Sequence, residues 1–244
     1  MREWFFDWFD ENYLKYYLLM QSEELTKKQV KFIIDVLNLK ENDRILDICC
    51  GTGRHLIELS KKGIYGVGVD FNKKYIDIAN KNKMKSKNLK FINIDARKID
   101  FENEFNAAIS IWTSFGYFTD RENLDLLKKV NRSLKNKGKL LIDIENIYYL
   151  ANNLPKERWE NKNGEYILER NELNLRSSRL KTERILIKNK KKFEYIRNYR
   201  IYTLSEFKNY LLDAGFKLVN YYGGYEKEEL NLFSKRLIII SEKS

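Results

Sequence analysis

The sequence predicts an α/β protein with a mostly parallel, doubly wound sheet and a small antiparallel β insertion. A buried-strand pattern at 45–48 runs into a glycine turn, Gly51-Thr52-Gly53, and a helical pattern follows at once. Short apolar runs then alternate with helical periodicity as far as residue 144, which is typical of parallel strands joined by crossover helices. Across 146–200 this periodicity gives way to short strand-like runs separated by Asn and Lys turns, which indicates the antiparallel insertion.

The elements can be justified in chain order. The aromatic and acidic residues 1–20 have a spacing that supports one or two short helices, and a longer helix extends to about residue 39. Strands of the main sheet are expected at 45–48, 65–69, 89–94, 107–112, 139–144, 216–222 and 236–240. Strands of the insertion are expected at 166–168, 180–187 and 193–199.

Composition bounds the class of protein. The 244 residues are 43% hydrophobic, enough for a sizeable core, and they contain no internal repeat or low-complexity linker, so 1–244 is interpreted as one domain. The adjacent Cys49 and Cys50 would point to opposite faces of a strand, which disfavours a disulfide and favours a reducing, cytoplasmic compartment. Acids occupy the N-terminus in place of a signal peptide, and no apolar run approaches the ~20 residues that span a bilayer, so no membrane association is expected.

Polar residues gather around the glycine turn. Gly51 can adopt backbone conformations that a Cβ forbids, and Gly53 allows a ligand to approach the helix start closely. Asp47 places a carboxylate under that ligand, and Asp70, which ends the second strand, can accept hydrogen bonds from a ribose diol. The alternatives are an ordinary strand–turn–helix and a dinucleotide-binding turn, and the latter expects a third glycine where Leu56 stands.

The word Asp47-Ile48-Cys49-Cys50-Gly51-Thr52-Gly53 resembles motif I of the class I S-adenosylmethionine (SAM)-dependent methyltransferases. The family pattern is acid-x-Gly-x-Gly-x-Gly, and Cys49 stands where its first glycine usually lies. The resemblance extends roughly over 45–143 and resumes at Tyr202. It implies a SAM-dependent methyltransferase with a seven-stranded sheet, the last strand antiparallel. The words at 113–118, 200–203 and 214–216 resemble the small-molecule group, which implies a small-molecule acceptor methylated on N or O.

The resemblance also implies a cofactor site. Asp95, after the third strand, would accept a hydrogen bond from the adenine amino group beside the backbone N–H of Ala96, although Asp95 is equally suited to capping a helix. The residues implied to bind SAM are Asp47, Cys49, Gly51, Gly53, Arg54, Asp70, Phe71, Asp95, Ala96 and Trp112.

No single catalytic residue is assigned. SAM chemistry depends mostly on placing the nucleophile in line and excluding water, and a general base helps only an acceptor that starts protonated. The candidates are Tyr13, Thr113, Tyr117, Arg200 and Tyr202. By family geometry the segment after the fourth strand faces the methyl group, so Thr113, Ser114 and Tyr117 would orient an acceptor; a capped turn is the alternative.

A histidine base and a metal site are two further possibilities, and the sequence favours neither. His55, the one histidine, sits on the first helical turn after the glycines, where a structural role is favoured over that of a base. No metal site is expected, because the chain lacks a His/Cys cluster and Asp143, Glu145 and Asn146 equally suit a strand end.

Residues 1–40 and the insertion, 146–200, lie outside the predicted sheet, and family geometry places both over the carboxyl ends of the strands. They would close the active site, with a pocket lined by Tyr13, Trp112, Tyr117, Arg200 and Tyr202. Arg200 would offer a forked cation to an anionic group of the acceptor, or form a surface ion pair. The N-terminal aromatic residues serve either as this lid or as plain core packing.

An RNA methyltransferase and a non-catalytic SAM-binding protein are the two alternative functions. The net charge of +11 and the lysines at 73–90 and 188–192 suggest an RNA methyltransferase with a nucleic-acid partner. Against this, Pro155 is the one proline, so the family's Pro-containing words for base methylation are absent, and no RNA-binding module is visible. A non-catalytic SAM-binding protein is disfavoured by the intact cofactor acids. The oligomeric state is not predicted.

Overall fold

The computed structural model describes residues 3–83, 86–162 and 164–244. Met1 and Arg2 of the expected lid, Met84 and Lys85 of the lysine-rich stretch, and Asn163 of the expected insertion lie outside the described residues. The first half comprises α1 (Phe5–Trp8), α2 (Glu11–Tyr13) with a π-helical turn (Leu14–Leu18), α3 (Glu23–Leu37), β1 (Arg44–Ile48), α4 (Arg54–Ser60), β2 (Tyr65–Asp70), α5 (Lys73–Asn82), β3 (Leu89–Asn93), a 3₁₀ turn (Ala96–Lys98), β4 (Phe105–Ser110) and α6 (Asp120–Ser133).

The second half begins with the long strand of the main sheet and continues through the insertion. Its elements are β5 (Leu134–Glu145), α7 (Ile147–Asn153), β6 (Glu157–Lys162), β7 (Glu165–Asn174), β8 (Arg179–Lys188), β9 (Lys191–Arg200), α8 (Leu204–Asp213), β10 (Phe216–Tyr222) and β11 (Arg236–Lys243). Thr119 and Thr203 each cap the following helix in a capping box, with Glu122 and Glu206 as the reciprocal partners.

Seven of the described strands form the main sheet, in the order β10-β11-β5-β4-β1-β2-β3. The pairs among β1 to β5 are parallel, whereas β11 runs antiparallel to both of its neighbours. A second sheet has the order β6-β7-β8-β9 and is antiparallel throughout. The predicted fold class, a seven-stranded and mostly parallel sheet with an antiparallel insertion, is therefore confirmed.

Burial on both faces explains why β1 reads as a continuous apolar run. Ile45 packs with residues of α3 and α4 on one face, whereas Leu46 and Ile48 pack with residues of α6 and α8 on the other. Strand side chains alternate between faces, so a central strand covered by helices on both sides needs apolar residues at successive positions. Asp47 interrupts this run one residue before β1 ends, which places a buried carboxylate near the carboxyl end of the strand.

The strand order places a crevice beside β1. From β1 the chain adds β2 and β3 on one side, whereas β4 and β5 lie on the other. The loops after β1 and β4 therefore leave the sheet in opposite directions, and the space between them is the usual ligand position in open α/β sheets.

The insertion differs in detail from its expected layout. A helix, α7, precedes the antiparallel sheet. The strand β6 was not expected because its residues are mostly polar; in the structure it is an edge strand, and most of its side chains are exposed. The strands β7, β8 and β9 have ten residues each, and all are longer than the expected segments because polar residues on one face do not end a strand. Among the described residues, no helix is long and apolar enough to cross a membrane.

Candidate active site

A cavity opens at the carboxyl ends of β1, β2 and β4, beneath the N-terminal segment, which we define as residues 3–20. The lining comes from the turn after β1, the ends of neighbouring strands and the N-terminal segment: Phe5, Phe9, Tyr13, Leu18, Asp47, Cys49, Cys50, Gly51, Thr52, Arg54, His55, Asp70, Phe71, Tyr75, Asp95, Ala96, Ile111, Trp112, Ser114, Tyr117 and Phe118.

The turn after β1 depends on left-handed backbone. Cys49, Gly51 and Gly53 have φ angles of +59°, +56° and +75°. Gly51 faces the cavity, where a Cβ would come no closer than 3.8 Å to Leu18. A Cβ on Gly53 would lie 2.5 Å from the Phe91 ring. This corrects the expectation that Gly53 clears space for a ligand: Gly53 clears space for Phe91 on β3 and lies outside the described cavity lining.

Asp70 supports the same turn. Its Oδ2 accepts the Gly51 N–H at 2.9 Å, and its Oδ1 accepts the Asn72 N–H at 2.8 Å. Burial raises the pKa of its carboxyl group to about 6, against the lowering effect of these two bonds. Because each oxygen retains a second lone pair, Asp70 can brace the turn and still accept hydrogen bonds from a ligand diol.

Asp47 and Arg54 present unmatched polar atoms to the cavity. Asp47 is 2% exposed, and its Oδ2 has no hydrogen-bond partner among the described residues. Burial raises the pKa of this carboxyl group to about 8, with Arg54 opposing the rise. Arg54 donates from Nη1 to Thr26 and Gln29, whereas its buried Nη2 has no partner in the described parts of the chain. A ligand that carries both an ammonium and a carboxylate group would satisfy both atoms.

His55 is not poised as a free base. Its Nε2 lies 3.0 Å from Gln29 Oε1, and burial lowers the pKa of the imidazole well below its ordinary value. A neutral imidazole that is already hydrogen-bonded fits the structural role expected from the sequence.

Asp95 both borders the cavity and caps the 3₁₀ turn. Its Oδ1 accepts the Arg97 N–H at 2.9 Å, and its carboxylate also pairs with the Arg97 guanidinium at 2.7 Å. Ala96 and Phe71 line the same side of the cavity. Both alternatives for Asp95 therefore remain open, because capping uses only part of its acceptor capacity.

The segment after β4 is held in an unusual backbone conformation. Trp112 and Thr113 have φ angles of +63° and +59°, so β4 ends two residues earlier than expected. Asp143 accepts the Trp112 N–H at 2.8 Å through its carboxylate and the Thr113 N–H at 2.9 Å through its carbonyl. Arg236 pairs with Asp143 at 2.7 Å and donates to Thr113 Oγ1 at 2.9 Å. Such strain persists only where surrounding contacts over-determine it, as at functional sites.

The residues after β4 that were candidates for contacting the acceptor fall into two groups, those that line the cavity and those that do not. Trp112, Ser114 and Tyr117 line the cavity, and Ser114 also donates its hydroxyl to the Ile111 carbonyl oxygen. Thr113 is 8% exposed, lies outside the described lining and accepts its hydrogen bond from Arg236. Its expected contact with an acceptor is therefore corrected to a structural contact.

Aromatic residues of the N-terminal segment cover the cavity. The Tyr13 ring stacks on Tyr17 at 5.1 Å and meets Phe9 edge-on at 4.8 Å, and Phe9 packs on Tyr117 at 5.5 Å. Burial raises the pKa of Tyr13 to about 12, so its hydroxyl stays protonated at neutral pH and can donate a hydrogen bond. Tyr13 and Tyr117 are far apart in the sequence, and the fold brings both to one cavity.

The insertion supports this cover instead of lining the cavity. Tyr195 donates its hydroxyl to Asp10 at 2.8 Å and accepts from Asn12 at 2.8 Å, and the Arg184 guanidinium lies 4.0 Å from the Trp8 ring centre. Within the described chain, residues of 146–200 are absent from the cavity lining. The insertion was expected over the active site, and it reaches that site through the N-terminal segment.

Two candidates from 200–203 are placed elsewhere. Arg200 pairs with Glu206 at 2.7 Å and donates to two carbonyl oxygens, so its expected role toward an acceptor is corrected to the alternative, an ion pair. Tyr202 is 0% exposed, accepts a hydrogen bond from Asn123 at 3.1 Å and packs on Phe207. Both residues lie outside the described lining, because the capping box of α8 brings Glu206 back onto Arg200.

Several lining residues were not singled out from the sequence. They are Phe5, Phe9, Leu18, Cys50, Thr52, Tyr75, Ile111 and Phe118. The dense aromatic spacing of the N-terminus was the available signal for Phe5 and Phe9. Cys50 and Thr52 belong to the glycine-turn word, although no role was assigned to them. Leu18, Ile111 and Phe118 carry no chemical label, because an apolar residue beside a ligand has the same sequence pattern as one in the core.

Comparison with known proteins agrees with this geometry. Residues 45–138 match a family model described as a methyltransferase domain. A putative methyltransferase, YqeM, of Bacillus subtilis (strain 168) is 26% identical over 214 residues, covering 85% of this chain and 87% of that protein. A demethylmenaquinone methyltransferase of Staphylococcus saprophyticus is 32% identical over 124 residues, covering 49% of this chain and 52% of the relative. The chain thus spans about half the length of that second relative.

Solved structures share the fold at low sequence identity. A SAM-dependent methyltransferase from Clostridium acetobutylicum has a TM-score of 0.80 at 20% identity, over 98% of this chain and 99% of that one. SAM-bound CalS10, an amino pentose methyltransferase from Micromonospora echinaspora, has a TM-score of 0.70 at 16% identity, over 97% and 98% of the two chains.

Fold and cavity together define an open α/β sheet with a ligand-sized site at its strand ends. Residues 45–138 match a methyltransferase domain, and this match together with the shared fold supports a class I SAM-dependent methyltransferase. SAM is its cofactor, and the unmatched Asp47 and Arg54 atoms fit the amino-acid end of that molecule.

Proposed function

We propose that this methyltransferase transfers a methyl group to N or O of a small molecule. The observation that carries the proposal is the cover over the cavity: Phe5, Phe9, Tyr13 and Leu18 of the N-terminal segment all line it. A site covered in this way favours a compact acceptor over a polymer. A polymer would have to displace the cover, including the 2% exposed Phe5 and the 1% exposed Trp8.

For the cofactor we propose a pose that uses each polar group once. Asp70 accepts from the ribose diol, Asp95 and the Ala96 N–H take the adenine edge, and Asp47 and Arg54 take the ammonium and carboxylate groups. SAM supplies an electrophilic methyl group when bound. The chain's contribution is to hold the reactants in line and exclude water, since a sulfonium methyl needs little further activation.

At the acceptor end, Tyr13, Ser114 and Tyr117 are proposed to orient the nucleophile. The hydroxyls of Tyr13 and Tyr117 form no hydrogen bond within the described parts of the chain, and both rings line the cavity. Burial raises the pKa of both phenols, so each is a donor and not a general base at neutral pH. A general base is therefore not part of the proposal.

The domain organisation is proposed on the same basis. Residues 1–244 act as one methyltransferase domain, 1–40 include the cover, and 146–200 support it from outside. The amino pentose methyltransferase CalS10 supports a small acceptor by its shared fold.

The test is acceptor discovery with the intact protein. Purified chain and isotopically labelled SAM are incubated with fractionated small-molecule extract or with total tRNA, and mass spectrometry follows the label. Transfer to a small molecule, lost in Asp70→Ala, is expected. Transfer confined to tRNA would contradict the proposal.

A further inference from the structure

A buried carboxylate outside the cavity holds one of the cavity walls in place. Asp143, on β5, is 0% exposed and is absent from the described cavity lining. Its Oδ2 accepts the Trp112 N–H at 2.8 Å and the Tyr225 hydroxyl at 2.6 Å, and its Oδ1 accepts from Arg236 Nε at 2.7 Å. We call Asp143, Tyr225 and Arg236 the anchor group. It fastens the segment after β4, which supplies Trp112 and Ser114 to the cavity, to the connection between β10 and β11.

The anchor group acts on a backbone conformation that needs support. Trp112 and Thr113 both have left-handed φ angles, which cost free energy in residues with a bulky or branched side chain. Besides the bond to Trp112, the Asp143 carbonyl oxygen accepts the Thr113 N–H, and Arg236 donates from Nη2 to Thr113 Oγ1. These contacts offset the strain of two consecutive residues. Removing one of them therefore lets the segment populate other conformations.

Trp112 also connects the anchor group to the cofactor end of the cavity. The Arg54 guanidinium lies 6.0 Å from the Trp112 ring centre, and both side chains line the cavity. Burial lowers the pKa of the Arg54 guanidinium, and the Asp47 and Asp143 carboxylates oppose this fall. Asp143 therefore acts on the proposed carboxylate-binding arginine through its charge and through the position of the ring beside that arginine.

The connection between β10 and β11 is itself docked on α3. Lys227 of this connection pairs with Asp35 at 2.7 Å, and the Tyr225 ring meets Phe32 edge-on at 5.3 Å. The same helix supplies the two side chains that accept hydrogen bonds from Arg54 Nη1. The anchor group and Arg54 thus share one support, so the fold fixes the two walls at this end of the cavity relative to each other.

We propose that Asp143, together with Tyr225 and Arg236, is a positioning residue for cofactor binding that keeps Trp112 against the end of SAM bound by Arg54. This rests on the proposed cofactor pose and does not depend on the identity of the acceptor. When the segment after β4 can leave its conformation, only the fraction of molecules that retains it is competent to bind, and the apparent affinity falls by that fraction. A merely structural role would lower stability and leave the affinity of the folded protein unchanged.

The test follows cofactor binding and the Trp112 ring separately. Calorimetry measures the affinity for S-adenosylhomocysteine, the product that SAM leaves after transfer, at a temperature where each variant is folded. Fluorine NMR of protein labelled with fluorotryptophan reports on the four indole rings, and Trp112→Phe assigns the Trp112 resonance. Trp159, which is 69% exposed on the insertion, is the internal reference.

The sharpest variant is Tyr225→Phe, which keeps the ring and removes one hydrogen bond to the carboxylate. It is expected to shift or broaden the Trp112 resonance. It is also expected to weaken S-adenosylhomocysteine binding by about three- to tenfold, since only part of the lost hydrogen bond's free energy is expressed in the position of Trp112. Tyr222→Phe is the matched control, because Tyr222 also meets Phe32 edge-on, at 5.5 Å, but its hydroxyl accepts from Asn220.

Asp143→Asn tests the carboxylate itself. The amide oxygen can still accept from Trp112, but the charge that holds Arg236 is lost, so cofactor binding is expected to weaken more than in Tyr225→Phe. If Asp143→Asn does not fold, Arg236→Lys takes its place. That variant retains a cation beside Asp143 but lacks the second nitrogen that reaches Thr113, and it is expected to weaken binding about as much as Tyr225→Phe.

The outcomes separate this inference from the proposed function. Wild-type affinity in folded Tyr225→Phe and in Asp143→Asn, or in Arg236→Lys where that replaces it, overturns the inference. An unchanged Trp112 resonance in these variants, or an equal loss of affinity in Tyr222→Phe, also overturns it. Wild-type affinity in Arg54→Gln overturns the cofactor pose and, with it, this inference. Failure of the proposed function is detected by acceptor labelling, as methyl found only on tRNA, and not by these cofactor measurements.

Discussion

Gly51 and Gly53 lie two residues apart in one turn, but Gly51 faces the cavity whereas Gly53 packs against the Phe91 ring. Gly51→Ala is expected to lower stability modestly, by about 1 kcal/mol for a non-glycine residue at positive φ, and to weaken SAM binding because its methyl group enters the cavity. Gly53→Ala is expected to destabilise the fold more, since its methyl group would overlap the Phe91 ring. Thermal unfolding and calorimetry on both variants test this contrast. Equal stability losses would contradict it.

The buried Asp47 predicts a pH dependence of ligand binding. Its pKa of about 8 means that the carboxyl group is mostly protonated at neutral pH, whereas a bound ammonium group favours the ionised form. Affinity for S-adenosylhomocysteine is therefore expected to rise with pH, by at most about tenfold per unit, and to level off above about pH 8. Calorimetry across this range measures the rise, and Asp47→Asn is expected to lose this contribution. Superimposable profiles for the wild type and Asp47→Asn would rule it out.

The same group affects the stability of the ligand-free protein with a definite sign. The folded-state pKa of Asp47 is raised, so its contribution to stability is fully present below the unfolded pKa of about 4 and is lost as pH rises to about 8. Asp47→Asn should therefore raise the unfolding midpoint most in alkaline buffer, which thermal scans without ligand can check.

At the scale of elements, the N-terminal segment depends on the insertion. The Tyr195 hydroxyl bonds both Asp10 and Asn12, which lie more than 180 residues earlier in the chain. Tyr195→Phe removes both bonds, at about 0.5–1.5 kcal/mol each, while its ring remains. Amide exchange in 3–20 is expected to become several-fold faster, and turnover to fall more than SAM affinity. Tyr166→Phe, on the exposed face of the same sheet, is the matched control.

That prediction also separates the two interpretations of the N-terminal aromatic residues. If they are only core packing, Tyr195→Phe lowers global stability without selectively changing exchange in 3–20. If they form a cover, local exchange and turnover change together. The buried Phe5 shows that one residue serves packing and lining at once, so complete deletion of the segment would confuse the two roles.

At the scale of the whole molecule, the basic charge has a limited meaning. Many surface lysines are paired locally, as in Lys27 with Glu23 and Lys73 with Asp77, and exposed pairs of this kind contribute little energy. Binding to tRNA is expected to be weak and to fall steeply with salt, because diffuse positive charge acts mainly through counterion release. Filter binding across a salt series measures this. Salt-resistant binding of one RNA would instead favour the RNA methyltransferase alternative.

The sequence by itself determined the features that depend on local pattern. The apolar β1 run, the glycine turn and the alternation of strands with helices define the sheet. Burial on both faces makes the central strands continuous apolar runs, whereas burial of one face gives the helices a 3.6-residue periodicity. The capping boxes at Thr119 and Thr203 were equally local. Asp47 and Asp70 were placed at the cavity from their positions at strand ends.

Only the tertiary structure decided which distant side chains meet. Gly53 is constrained by Phe91, and Thr113 by Arg236, over separations of 38 and 123 residues. On β9, Arg197 and Arg200 have opposite parity, so one faces Trp8 and the other Glu206. A sequence shows the parity but not what lies opposite each face, because that depends on how the insertion packs against residues 3–20.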